Sequence, residues 1–194
     1  RLIHANPFHD GIKASQPVDE SRNAYVSEED VDKLIASATT EFAAVIASAR
    51  YGGVRIPSEV LSMRWNDIDW SEKRIIIHDK KRKRDKVLPL FPKWDAALSK
   101  LWQESPEGQE YVFNWCRASA NKTYRVALEE LIQRNKLVQW PKLWVTMRAS
   151  RETDLKAMFP GAHHVVHDWI GNSQKVSEKH YDRITPDHFQ KALT

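Results

Sequence analysis

Apolar positions recur at helical spacing along most of the chain, and the pattern gives way to β-branched runs only once. Residues 26–38, VSEEDVDKLIASA, predict a helix with Ser27 as N-cap, acids in its first turn and Asp30 three residues on. Residues 40–53, TEFAAVIASARYGG, predict a second, more apolar helix that Gly52 and Gly53 terminate. A short helix is expected over 57–65, PSEVLSMRW, with Pro57 near its first turn. Ile75, Ile76 and Ile77, then Val87 and Leu88, read as two strands with the basic run KKRKR at their turn. Downstream, segments 93–102, 120–135, 146–159, 163–170, 173–184 and 186–193 all read as helices, the last capped by Thr185 before Pro186. Residues 1–24, with Asn6-Pro7 and Gln16-Pro17, read as an extended arm. The expected fold class is mainly α (α+β): a helical domain with one small antiparallel β-sheet or hairpin.

Composition narrows this picture a little. A chain of 194 residues suits one compact domain, or one domain and an arm. With 41% hydrophobic and 29% charged residues it can bury a sizeable core. The single cysteine, Cys116, excludes an internal disulfide and a cysteine-rich metal site, and fits a reducing compartment. No apolar run approaches the roughly 18 residues of a membrane span. A formal charge of +4 raises nucleic acid among the partner classes without selecting it.

Three stretches carry candidate chemistry. Arg55 lies between the Gly-Gly stop and a Pro-started helix, where a guanidinium fork beside a helix N-terminus favours phosphate. The competing reading is a surface arginine paired with Glu59. The run Lys80, Lys81, Arg82, Lys83, Arg84 and Lys86 surrounds one acid, Asp85. It suits a hairpin reaching a DNA backbone, and equally a solvated charged turn that keeps a sheet edge from pairing. Finally, RASRETDL at 148–155 is followed by Trp169-Ile170-Gly171-Asn172, a helix end, and by Tyr181 nine residues beyond Asn172. A lone tyrosine in such a helix is most often a core or rim residue.

Together these stretches resemble the catalytic domain of the tyrosine recombinases, the phage integrase family. GGVRIPSEVLSMRWNDIDW is similar to the segment holding that family's first arginine. RASRETDL is similar to the segment of its second arginine, and WIGNSQKVSEKHY to its glycine-histidine stretch and the nucleophilic tyrosine. The resemblance covers about residues 25–192. It implies that Arg55 and Arg148 hold the scissile phosphate and that Tyr181 is the nucleophile. It implies that Asn172 stands where a histidine or tryptophan is usual. The family's hairpin lysine lies eight positions before the proline of the next strand, which selects Lys81, with Lys80 and Lys83 close enough to compete.

What the resemblance implies chemically is transfer of a DNA phosphodiester to a protein hydroxyl through a 3′-phosphotyrosyl intermediate. Neither cofactor nor metal is implied, because two guanidinium forks offset charge on the non-bridging oxygens. A lysine among other cations has a lowered pKa and suits the proton donor to the leaving 5′-oxygen. Lys80, Arg82, Lys83 and Arg84 would bind the DNA backbone. Val145 departs from the pattern: a histidine is usual three residues before the second arginine. Asn172 still donates a hydrogen bond, whereas Val145 donates nothing. A weakened or rearranged site is therefore expected unless His163, His164, His167 or His180 takes over. Each of these more often serves an ordinary helix face. The alternative reading is a degenerate, catalytically impaired integrase-like DNA-binding protein; a type IB topoisomerase shares the chemistry but not the segment wording.

The resemblance also implies the surroundings. Residues 1–24 would be the linker from an N-terminal core-binding domain, and 25–194 the catalytic domain. The partner would be double-stranded DNA, gripped as a tetramer with the N-terminal domain present, the fragment alone being a monomer with no membrane attachment. Localisation would be cytoplasmic, bacterial and nucleoid-associated.

Overall fold

In a computed structural model of the chain, residues 24–79, 84–114 and 121–171 are described. Six helices and one three-stranded sheet make up this part: α1 (Glu28–Ser37), α2 (Thr40–Arg50), β1 (Ile68–Asp69), β2 (Arg74–Asp79), β3 (Arg84–Pro89), α3 (Pro92–Glu104), α4 (Asn121–Arg134), α5 (Leu143–Met158) and α6 (His163–Ile170). The sheet is antiparallel with strand order β1-β2-β3. The mainly α class with a small antiparallel sheet is observed. The start of α1 is as predicted, with the Ser27 side chain accepting from the Asp30 N–H at 3.1 Å. One expectation is corrected. The 57–65 segment is not an α-helix but two 3₁₀ turns, Val60–Ser62 and Trp65–Asp67. β1 also went unpredicted, because two residues are too few to carry an alternation. Residues 1–23, the turn 80–83 and everything from Asn172 onward, Tyr181 included, lie outside the described residues.

α2 and α5 form the centre. α2 buries Phe42 and every residue from Ala44 to Arg50, and it packs against α1, α3 and α5. A helix buried on all sides has no polar face, which is why its pattern reads as uniformly apolar. α5 is buried over most of its length too, but with polar side chains: Thr146, Arg148, Ser150, Arg151, Glu152 and Thr153. Buried polar groups need partners, so α5 is tied to several distant segments. Ser150 Oγ accepts from the Val26 N–H at 2.9 Å. Asp154 accepts from Tyr25 Oη at 2.6 Å and pairs with the fully buried Arg50. The chain entering α1 is thereby fastened to α5.

The Gly-Gly stop after α2 does two separate jobs. A Cβ on Gly52 would sit 2.8 Å from the Trp94 ring, and Trp94 is wholly buried with its indole N–H on Ser48 Oγ at 2.9 Å. Gly53 has φ +66°, and a Cβ there would lie 2.5 Å from Ile170 Cδ1. The left-handed turn at Gly53 is therefore open to glycine at little cost and to other residues only with strain. It brings the chain to Arg55 directly beneath the C-terminus of α6.

The sheet reads inward and outward by strict alternation. Ile75 pairs with Leu88 and Ile77 with Lys86, and all four are buried. Ile76 pairs with Val87 on the outer face, where Val87 is 50% exposed. Among the described residues no helix is long and apolar enough to cross a membrane.

Candidate active site

Glu59, from the turn after Arg55, is the hub of a buried charge cluster. Its carboxylate accepts the Arg55 backbone N–H at 2.8 Å and Arg55 Nη1 at 2.6 Å. Lys86 Nζ lies 2.9 Å from one of its oxygens and 3.0 Å from the other. Arg148 Nη1 is 3.8 Å away. Burial pushes the Glu59 carboxyl up, but Lys86, the Arg55 N–H, Arg148 and the Arg55 side chain outweigh it and hold it below the ordinary carboxylate range. Burial draws the Lys86 ammonium down to about 8; Glu59 opposes that shift, while Arg148 and Arg55 add to it.

The two arginines also share a second anchor. Arg55 Nη2 donates to the Gly171 carbonyl at 3.0 Å. Arg148 donates through Nη1 to the Gly53 carbonyl at 3.0 Å and through Nη2 to the Ile170 carbonyl. Ile170 and Gly171 close α6, where the last carbonyls lack helix partners and carry partial negative charge. The two guanidinia therefore satisfy that helix end and fix the point from which the chain continues to Asn172. The Arg55 side chain is 28% exposed, whereas Arg148 is buried behind it.

Arg55 pairs with Glu59, as one reading of the sequence expects, although Glu59 is buried and not on the surface, and Arg148 approaches the same carboxylate. The structure brings Arg55 and Arg148 together from α2's end and from α5. Lys80, Lys81, Arg82 and Lys83 lie outside the described residues, as do Asn172, Tyr181 and His180; Arg84 is placed only as the first residue of β3. Val145 is 48% exposed, one turn before Arg148, with no polar group to offer. His163 and His164 are exposed on α6. His167 is half-buried, and its Nε2 has no hydrogen-bond partner among the described residues. A cavity of about 750 Å³ lies between the α1–α2 junction, α3 and α4, and none of the predicted site residues lines it.

Sequence reasoning missed Lys86, which it grouped with the basic run of the hairpin, as a DNA-reaching or solvated charge. That placement is corrected: Lys86 is 2% exposed and points into the site. The signal was available, since period-2 alternation puts residue 86 on the same face as Leu88. The carbonyls of Gly53, Ile170 and Gly171 had no signal at all, because backbone acceptors are not written in residue types.

Residues 24–141 match the sequence model of the phage integrase family. That match spans Arg55, Glu59 and the hairpin and stops before Arg148. The chain belongs to this family. Comparison with curated proteins finds no match. The fold is that of solved tyrosine recombinases. XerA recombinase superposes with a TM-score of 0.72 at 18% identity, covering 88% of this chain and 64% of that one. The Tn1549 transposon integrase, in complex with transposon right end DNA, gives 0.70 at 13% identity, covering 98% and 71%. A lambda integrase dimer bound to a core site gives 0.63 at 14% identity, covering 85% and 62%. The chain thus spans about two thirds of the length of these recombinases.

Proposed function

We propose that this chain is the catalytic domain of a site-specific DNA recombinase that breaks and rejoins DNA through a 3′-phosphotyrosyl link. The observation that carries this reading is the convergence of Arg55 and Arg148 on Glu59 and on the end of α6. Two guanidinia held side by side match the two non-bridging oxygens of a phosphodiester. In this reading Tyr181 loses its hydroxyl proton to solvent water as its oxygen bonds to phosphorus. The P–O5′ bond breaks, and the leaving oxygen takes a proton from a hairpin lysine, Lys81 or its neighbours Lys80 and Lys83. Asn172, directly after the carbonyls held by the arginines, donates to a phosphate oxygen. Lys80, Arg82, Lys83 and Arg84 grip the backbone, and binding weakens steeply with salt. Residues 1–24 connect to an N-terminal core-binding domain, and the assembled enzyme acts as a tetramer on paired sites in a bacterial nucleoid. Without that domain the chain is a monomer.

A pool of nicked suicide duplexes with randomised sequence tests this. Denaturation-resistant protein–DNA adducts are expected with the wild-type chain and not with Tyr181→Phe. An adduct that persists in Tyr181→Phe removes the nucleophile assignment. The second reading, an impaired DNA-binding relative, draws on Val145, which places an exposed apolar group where a proton-handling side chain is usual. It predicts retention of duplex DNA with no adduct from any sequence in the pool.

A further inference from the structure

β3 is patterned backwards at one step. Its inward position 86 holds a lysine and its outward position 87 holds a valine, 2% and 50% exposed respectively. A sequence selected for stability alone would exchange them, since an apolar residue inside and a lysine outside satisfy both faces. A buried ion pair is commonly matched or bettered in stability by apolar packing. The reversed order therefore asks for another reason, and the surroundings of Lys86 supply it. The charged groups that face its ammonium are Glu59, Arg148 and Arg55.

We infer that Lys86 is a positioning residue, whose ammonium occupies Glu59 so that the carboxylate orients Arg55 and Arg148 without drawing their forks away from a bound phosphodiester. This rests on the reading that the two arginines receive the scissile phosphate. Glu59 without Lys86 would be a full anion with only arginines for partners, and it would compete with phosphate for both. Lys86 spans both of its oxygens, at 2.9 and 3.0 Å, so that neither is left to capture a guanidinium alone. Three cations against one carboxylate leave a net of two positive charges. A phosphodiester brings one negative charge, and its five-coordinate transition state brings two on the non-bridging oxygens. The cluster therefore balances the transition state better than the ground state, which is the condition for faster chemistry. Lys86 itself stays behind Glu59 and needs no contact with DNA.

The experiment compares wild type, Lys86→Met and Lys86→Arg by two readouts. The first is single-turnover adduct formation on a nicked duplex recovered from the randomised pool, between pH 6.5 and 9.5. Lys86→Met is expected to slow it about 100-fold, the scale of a misplaced catalytic group. Lys86→Arg should recover most of the rate. The wild-type rate should fall as pH rises through about 8, where Lys86 loses its proton, and it should fall more steeply than in Lys86→Arg, where only the hairpin proton donor titrates. Equal rates in all three, or an equally steep alkaline fall in Lys86→Arg, overturn the inference. The second readout needs no DNA: guanidinium NMR signals of isotope-labelled arginines at pH 7. Arg55 and Arg148 should shift in Lys86→Met and return in Lys86→Arg. Unchanged signals in a folded Lys86→Met overturn the inference, even if no variant forms an adduct. Absence of adduct from wild type, with the arginine signals moving as stated, removes the recombinase reading and leaves in place only the positioning of the two arginines by Lys86.

Discussion

Arg55 donates to the carbonyl of Gly171 at 3.0 Å, across 116 positions of sequence. The first arginine of the site is thus attached to the residue that ends α6, and Arg148 is attached to the residue before it. Whatever follows Gly171 starts from a point the two guanidinia determine. Removing either arginine therefore has two effects, on phosphate and on the course of the chain. Arg55→Ala is expected to lower adduct formation by at least about 100-fold with modest loss of stability, since its side chain is partly exposed. Arg148→Ala is expected to lose activity to a similar degree and also to destabilise by about 3 kcal/mol, because buried acceptors and Glu59 lose their partner. Chemical denaturation beside the adduct assay separates the two cases.

Glu59 and Lys86 are coupled, and a double-mutant cycle measures by how much. Glu59→Gln leaves the Lys86 ammonium buried without its carboxylate, and a loss of about 3–5 kcal/mol is expected. The double variant Glu59→Gln with Lys86→Met removes both charges and should recover part of that loss. Strictly additive losses would show that the two side chains do not interact.

The pH dependence of stability has a definite sign. The Lys86 amine has its proton up to about 10.5 in the unfolded chain and up to about 8 in the folded one. Between these values the unfolded chain binds more protons, so stability rises with pH. Below 8 the cost of the buried ammonium is present in full; by 10.5 it has been relieved. Wild type should therefore show a slope more positive than Lys86→Met between pH 8 and 10, by up to about 1.4 kcal/mol per pH unit. Adduct formation should move the other way over the same range.

Gly53→Ala tests the turn that delivers Arg55. At φ +66° an alanine is strained, and its Cβ must push Ile170 Cδ1 aside. A destabilisation of about 1–3 kcal/mol is expected. The shifted Gly53 carbonyl also leaves Arg148, so activity should fall by more than stability alone accounts for. An adduct rate equal to wild type under folding conditions would show that this acceptor does not position Arg148.

Val145→His places a proton-handling group on an exposed position of α5, so the fold should tolerate it. Adduct formation is expected to rise about 100-fold, the lower range for general acid–base groups. An unchanged rate would show that position 145 does not limit the reaction.

Much of the architecture was readable from residue order. The cap at Ser27, the Gly-Gly stop and the isoleucine run belong to local chemistry, in which neighbours a few positions apart decide the conformation. The 57–65 segment misled because a Pro-started apolar run suits a helix and a 3₁₀ turn alike. Its shape is decided by Glu59, which turns back to hold the Arg55 N–H. The two strands of the hairpin and the glycine that ends α6 were likewise readable from residue types and order, and the two arginines were singled out there. Their convergence was not, because it depends on the packing of α2 against α5 and of the end of α6 against Gly53. Lys86 marks the boundary most clearly. Alternation along β3 points it inward, but only the fold puts a carboxylate there to meet it. A charge can be read from a residue's name, whereas its partner depends on distances that residue order does not contain.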